Sequence, residues 1–148
     1  AVAGIRAGEV EAGQVLVVRG LGPRGSPGMG MASQPVFALD GAGLGGEVAL
    51  VTDGQLSGLV NTGLAVAEVS PEAAETGPLG LVEDGDRICL DLDRRRLDLE
   101  VADQVLRGRR PPGRPGQEEE VGWLSVYGQR VRPLREGATL RMDPPPPP

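Results

Sequence analysis

Histidine and lysine are missing from this 148-residue chain, and cysteine occurs once. One cysteine without histidine excludes a zinc site built from the usual ligands and a self-contained iron–sulfur cluster. A single cysteine cannot close an internal disulfide, which fits a reducing compartment. Aromatic residues are limited to one Phe, one Trp and one Tyr, so any core must be aliphatic. No apolar run reaches the ~18 residues needed to cross a bilayer, and no secretory leader opens the sequence. The expected location is therefore the cytoplasm, with no membrane contact. A net charge of −6 argues against a nucleic-acid surface. The arginine patches 94–96 and 107–110 both have acidic neighbours and read as a solvated hairpin turn and a helix end. That all fifteen basic residues are arginine is explained by a GC-rich coding sequence.

What is present is Val, Leu and Ala, with 24 glycines and 14 prolines. The length suits one domain with a modest core, and the glycine and proline content calls for many turns between short elements. A helix is expected over residues 2–7. Residues 14–19 and 47–52 read as buried strands bounded by glycine. Residues 33–42 between them read as a short helix, with Ser33 as N-cap and Gly41 and Gly43 as the stop. Ser70, Pro71 and Glu72 read as a second helix start, with serine as cap and proline in the first turn. Residues 79–82, 87–92 and 97–101 read as three strands, the first two joined through an Asp84-Gly85 turn. Leu90, Leu92, Leu97, Leu99 and Val101 alternate with Asp91, Asp93, Asp98 and Glu100, the pattern of an antiparallel pair with one wet face. Cys89 reads as a small buried hydrophobe in that pair.

Residues 1–107 form the expected core. Residues 108–120 hold no apolar side chain and read as a flexible linker. Residues 121–141 carry Trp123, Leu124, Val126, Tyr127 and Val131 at helical spacing, a C-terminal helix packing back on the core. Residues 142–148 are an extended polyproline tail. Helices and strands intermingle without a clean βαβ rhythm, so the fold class is mixed α/β, a mixed sheet or barrel flanked by short helices.

Two loops stand out. The strand at 47–52 runs into Thr52-Asp-Gly-Gln-Leu-Ser-Gly58, which displays one hydroxyl, Ser57, on a tight turn. The strand at 14–19 runs into Gly22-Pro-Arg-Gly-Ser-Pro-Gly-Met-Gly-Met31. Backbone amides unscreened by side chains, from Gly22, Gly25, Ser26, Gly28, Gly54 and Gly58, can form an anion nest. A plain turn accounts for the same residues equally well, and for Ser57 too. Arg24 is placed to meet a substrate carboxylate, while Arg19 suits an acid at the core edge. Asp53 is expected to bond its own loop backbone. Asp84 and Asp86 read as structural, and Glu68 as a surface residue.

Residues 22–29 resemble the GPxGxPGM element, and residues 52–58 the TDGxxSG element, of the dihydroxy-acid and phosphogluconate dehydratase family. The agreement continues through Val69-Ser-Pro-Glu-Ala73, Gly77-Pro78 and Leu81-Val-Glu-Asp-Gly-Asp-Arg-Ile88, and more faintly through Gly122-Trp-Leu-Ser-Val-Tyr127. It covers roughly nine tenths of the chain in the family's own order. These elements are similar to the later part of the family's smaller C-terminal domain, a swivelling β/β/α domain whose beginning is missing here. The resemblance implies a hydro-lyase that converts 2,3-dihydroxy acids or sugar acids to 2-keto acids. Ser57 would take the proton next to the substrate carboxylate, and Gly22, Arg24, Gly25, Ser26, Gly28, Asp53, Gly54 and Gly58 would surround the substrate.

The same resemblance places an iron–sulfur cluster and Mg2+ in an N-terminal domain, with no cofactor in this chain, and makes that domain the implied partner. The isolated chain is then expected to be inactive. Relatives place their sites between large oligomeric surfaces, which implies a homo-oligomer. Two positions depart from the family pattern. Where relatives continue Met-Pro-Glu-Met, with the glutamate on the metal, Met31 takes the glutamate's place, and a thioether is a poor ligand for magnesium. Glu68 stands where many members carry histidine. A non-catalytic remnant, acting as a binding or assembly module, is the alternative.

Overall fold

The computed structural model describes residues 1–75, 77–111 and 122–142. Its centre is a three-stranded parallel sheet of β1 (Val15–Val18), β2 (Ala49–Thr52) and β3 (Leu64–Val66), in that order. Val15 to Val18 pair in register with Ala49 to Thr52, and Ala49 to Val51 pair with Leu64 to Val66. A parallel pair cannot close through a tight turn. Helix α2 (Ser33–Gly41) supplies the crossover between β1 and β2.

All four residues of β2 are buried, because both faces of the sheet are covered. On one face Ile5 of α1 (Val2–Arg6), Leu39 of α2 and Val48 form a cluster completed by Leu16 and Leu44. On the other, Val51, Ala73 and Leu79 gather Val15, Val17, Val66, Val69 and Leu90. Leu16 faces one cluster and Val15 and Val17 the other, as the two-residue strand period requires.

The expected strand over 79–82 is instead a 3-10 turn, Pro78–Leu81, with proline in its first turn. Proline fixes φ and removes a donor, which suits a helical turn better than a sheet ladder. No hairpin therefore passes through Gly85. Nor does a helix follow Ser70: the Ser70–Pro71 bond is cis and residues 73–75 form turns. The antiparallel pair is β4 (Ile88–Asp91) with β5 (Arg96–Leu99), and α3 (Asp103–Gly108) follows it. Cys89 is exposed, not buried, because it lies on the wet face opposite Asp98 while Leu90 turns inward. The architecture is the mixed α/β type, but among the described residues the two sheets do not close into a barrel.

Of the residues that the helical spacing marks, only Val131 is buried, and it lies just past the helix. Helix α4 (Trp123–Arg130) buries none of its side chains, and Trp123 is 67 % exposed. Val131, fully buried directly after the helix, makes the attachment and bridges antiparallel to Leu140. Most of the expected linker, and the polyproline tail beyond Met142, lie outside the described residues. Within them Arg109 is anchored, reaching the Leu81 carbonyl and the carboxylates of Glu83 and Asp86.

Candidate active-site rim

Both glycine-rich loops leave the same end of the parallel sheet, following the C-terminal ends of β1 and β2. That is the edge where open α/β sheets place ligands. Beneath them sit two buried carboxylates. Asp53, with no exposed surface, accepts N–H bonds from Gly20 at 3.0 Å, Leu21 at 2.9 Å and Ala73 at 2.9 Å. Its partners belong to other loops, not to its own. The local turn is closed by Thr52, whose hydroxyl accepts the Gly54 amide at 2.9 Å.

Glu72 is 3 % exposed and accepts the Arg24 amide at 2.9 and 3.1 Å and the Gly25 amide at 2.9 Å. Burial pushes its carboxyl above the ordinary glutamate range. The two amides pull it partly back, and the nearby charges of Asp53 and Glu75 add to the rise. A Cβ on residue 22 would collide with the Glu72 carboxylate, so glycine there is a matter of space. The same holds at Gly54, where a Cβ would lie 2.7 Å from that of Leu21 and 2.8 Å from the Gly30 carbonyl oxygen.

From this base the loops are stitched together. The Gly30 amide donates to the Leu21 carbonyl at 2.7 Å, and the Gly30 carbonyl accepts the Gln55 amide at 2.9 Å. Ala32 donates to the Gln55 carbonyl at 2.8 Å, and Met31 bridges Gln55. Ser33, expected as an N-cap, is the first residue of α2, with Ala32 as cap. Its hydroxyl instead accepts the Ser57 amide at 2.7 Å. Ser57 is half-buried and its Oγ accepts the Leu59 amide at 3.2 Å. A donor pointed at that oxygen is the polarity an alkoxide needs.

The structure thus brings Ser57, Gly54, Gly58 and the 22–31 loop to one rim. Asp53 lies behind it, and the amides of Arg24 and Gly25 are spent on Glu72. Arg24's guanidinium turns to the Val131 carbonyl at 3.2 Å and to Glu75 at 3.8 Å. Among the described residues Arg19 reaches no acid, but donates to the carbonyls of Leu79, Gly80 and Val82 at 2.7 to 3.2 Å. Glu68 is exposed with φ of 56°. Tyr127 was not singled out for the site, yet its hydroxyl meets the Gly28 amide at 3.4 Å. The roles of Glu72 and Ser33 were also missed. Their partners lie 24 to 48 residues away in sequence, and the only hint was that Glu72 sits in the Val-Ser-Pro-Glu element.

The residues do not fit a metal ion. Met31 offers a thioether, Asp53 and Glu72 direct their oxygens at backbone amides, and no group of three His, Cys, Asp or Glu converges among the described residues. Three grooves lie away from Ser57, between α1 and α2, along β1, and between β3 and β5. No helix among the described residues is long and apolar enough to cross a membrane.

A parallel βαβ unit with a serine and a glycine-rich loop at its strand ends defines the class, a mixed α/β domain. Residues 1–138 match the model of the dihydroxy-acid/6-phosphogluconate dehydratase C-terminal family. The chain belongs to that family. It is 48 % identical over 141 residues to the dihydroxy-acid dehydratase of Pyrococcus furiosus, covering 95 % of this chain. The chain spans about 25 % of the length of that relative.

Proposed function

We propose that this chain supplies the Ser57 rim of a hydro-lyase that dehydrates a 2,3-dihydroxy acid or sugar acid to a 2-keto acid, the rest of the site coming from a larger N-terminal part. Ser57 Oγ, once deprotonated, takes the proton from C2. The C2–H electron pair becomes the C2–C3 double bond, and the C3–O pair leaves with the hydroxyl, which takes the proton now on Ser57 Oγ and departs as water, returning the serine to its deprotonated form. The resulting enol becomes the keto acid by moving its hydroxyl proton to C3. The carrying observation is the Ser57 hydroxyl held by the Leu59 amide against the stitched glycine loop. Serine is a weak base at its ordinary pKa, and the chain offers no lysine or histidine to activate it. An iron–sulfur cluster and Mg2+, which these residues do not fit, belong in this reading to the N-terminal part. The chain purified alone should accordingly bind no stoichiometric iron and show no turnover.

The test is a chimera in which residues 1–138 replace the matching segment of the Pyrococcus furiosus enzyme. Ser57→Ala should lower kcat for keto-acid formation by roughly 100-fold or more, in line with loss of a positioned base. An unchanged kcat would remove Ser57 from the chemistry. A second reading, a non-catalytic remnant, is favoured by Met31, which is 57 % exposed at the position where the family pattern has glutamate. A folded but silent chimera that gains turnover on Met31→Glu would decide for that reading.

A further inference from the structure

We infer that Glu72 is a positioning residue: its buried carboxylate occupies the amide nest of the 22–31 loop and thereby sets the loop edge beside which Ser57 works. This rests on the dehydratase reading for its catalytic consequence, but not for its structural one. Gly-rich loops expose amides that attract anions. Here the anion is internal, held by three N–H contacts at 2.9 to 3.1 Å beneath a glycine that leaves room for nothing larger. The loop amides at residues 24 and 25 are therefore structural, and substrate meets the loop's outer edge.

The path from Glu72 to Ser57 is continuous. The Arg24 and Gly25 amides fix the turn closed by the Ser26 amide on the Gly22 carbonyl at 2.8 Å. The Met29 amide on the Ser26 carbonyl, also 2.8 Å, closes the next turn, which delivers Gly30 to Gln55 and Ser33 to the Ser57 amide. The charged groups around Glu72 are Asp53 behind β2, Glu75 on its own turn, Arg24 on the loop, and Arg135, which reaches Glu75 at 3.5 Å. Both guanidinium groups engage Glu75, and the Glu72 contacts are amides. Both acceptor oxygens of one carboxylate thus hold the loop, and a side chain that replaces either oxygen with a donor faces the amides with nothing to accept them.

Glu72→Gln, which sets an NH2 against the loop amides, and Glu72→Asp, which keeps the charge, test this in the chimera described above. Hydrogen exchange, corrected for intrinsic rate, is measured at residues 20–31, 54–59 and 88–99, together with kcat and KM. In Glu72→Gln, exchange at 22–31 and 55–58 should rise at least tenfold while the β4–β5 hairpin is unchanged. Its kcat should fall at least tenfold, with Glu72→Asp partly restoring both exchange and kcat. Unaltered loop exchange, or an unchanged kcat in Glu72→Gln, overturns the inference. If Glu72→Gln loosens the hairpin too, Glu72→Asp decides: restored hairpin protection with the 22–31 loop still more open than in the parent chimera supports the proposal, and equal protection of both counts against it. Ser57→Ala run in parallel separates the two ideas: retained turnover there sinks the dehydratase reading and leaves the exchange result to judge Glu72.

Discussion

The parallel-sheet half and the hairpin half of this molecule handle polar groups in opposite ways. Around β2, carboxylates are buried and spend every described contact on backbone amides of other loops. Around β4 and β5, charged side chains pair with one another in solvent: Arg87 with Glu100 at 3.3 Å, Arg94 with Asp91 at 3.6 Å and Arg96 with Asp98 at 3.0 Å. Water can replace the second kind of contact at little cost but not the first, because a buried donor without its acceptor forfeits its desolvation energy. The rim carrying Ser57 is therefore built into the core, whereas the hairpin is a cover whose polar details are exchangeable.

The sharpest way to break this contrast is Asp53→Ala. It leaves the amides of Gly20, Leu21 and Ala73 buried without their acceptor, at about 1–3 kcal/mol each. Urea unfolding should show a loss of about 4 kcal/mol or more, or a chain that does not fold. Asp53→Asn keeps one carbonyl oxygen and the volume, and should cost about half as much. A loss under about 1 kcal/mol for Asp53→Ala would show that solvent reaches the loop base.

Next in size is a pair of glycine substitutions. Gly54→Ala forces a Cβ against Leu21 and the Gly30 carbonyl and should cost about 1–3 kcal/mol. Gly108→Ala, at the end of α3 with nothing within 4 Å of the added carbon, should stabilise by about 0.5–1 kcal/mol, because alanine loses less backbone entropy in a helix. Thermal denaturation of both variants tests the comparison, and equal effects would erase it.

How much of this was legible follows the same division. The runs at Val15 to Val18 and Ala49 to Thr52 are β-branched and bounded by glycine, so local pattern was enough to find them. β3 escaped notice because three residues, Leu64–Val66, are too short to show a period. The 79–82 segment was read as a strand from its leucines, while Gly77 and Pro78 were already setting a 3-10 turn. Ser57 and its loop were visible as residues and, through the family elements, as a candidate site. The stitching was not visible, because Glu72 with Arg24, Asp53 with Leu21, and Arg24 with Val131 are contacts made by topology across 32 to 107 residues. Helical spacing marked Trp123, Leu124, Val126, Tyr127 and Val131 alike, and of these only Val131 is buried, because it follows the helix directly into the Arg24 contact.

Acid separates the halves by sign. Glu72 has a raised carboxyl pKa, so its contribution to fold stability is complete below the ordinary glutamate value and is lost as pH rises through its folded value. Asp86 is held below the ordinary aspartate range by Arg109 and the Glu83 amide. Its contribution is present above the ordinary aspartate value and disappears as pH falls through the folded one. Unfolding followed from pH 7 to 3 should therefore give opposite slopes in Glu72→Gln and Asp86→Asn, each relative to the parent chain. Slopes of the same sign would mean that the two carboxyls share one environment.

The smallest effect belongs to Arg87→Ala. Its guanidinium is 86 % exposed and its partner Glu100 is 47 % exposed. The two charges attract across water, and holding two long side chains together costs rotamer entropy that nearly cancels the gain. The backbone at this point is held independently, since the Glu100 amide donates to the Arg87 carbonyl at 2.8 Å, a bond the substitution leaves in place. The expected change in unfolding free energy is within about 0.5 kcal/mol, shrinking further in 0.5 M salt. A loss above about 1 kcal/mol, insensitive to salt, would mean that the hairpin's surface charges are organised by the core as the rim is, and the division between the halves would fall.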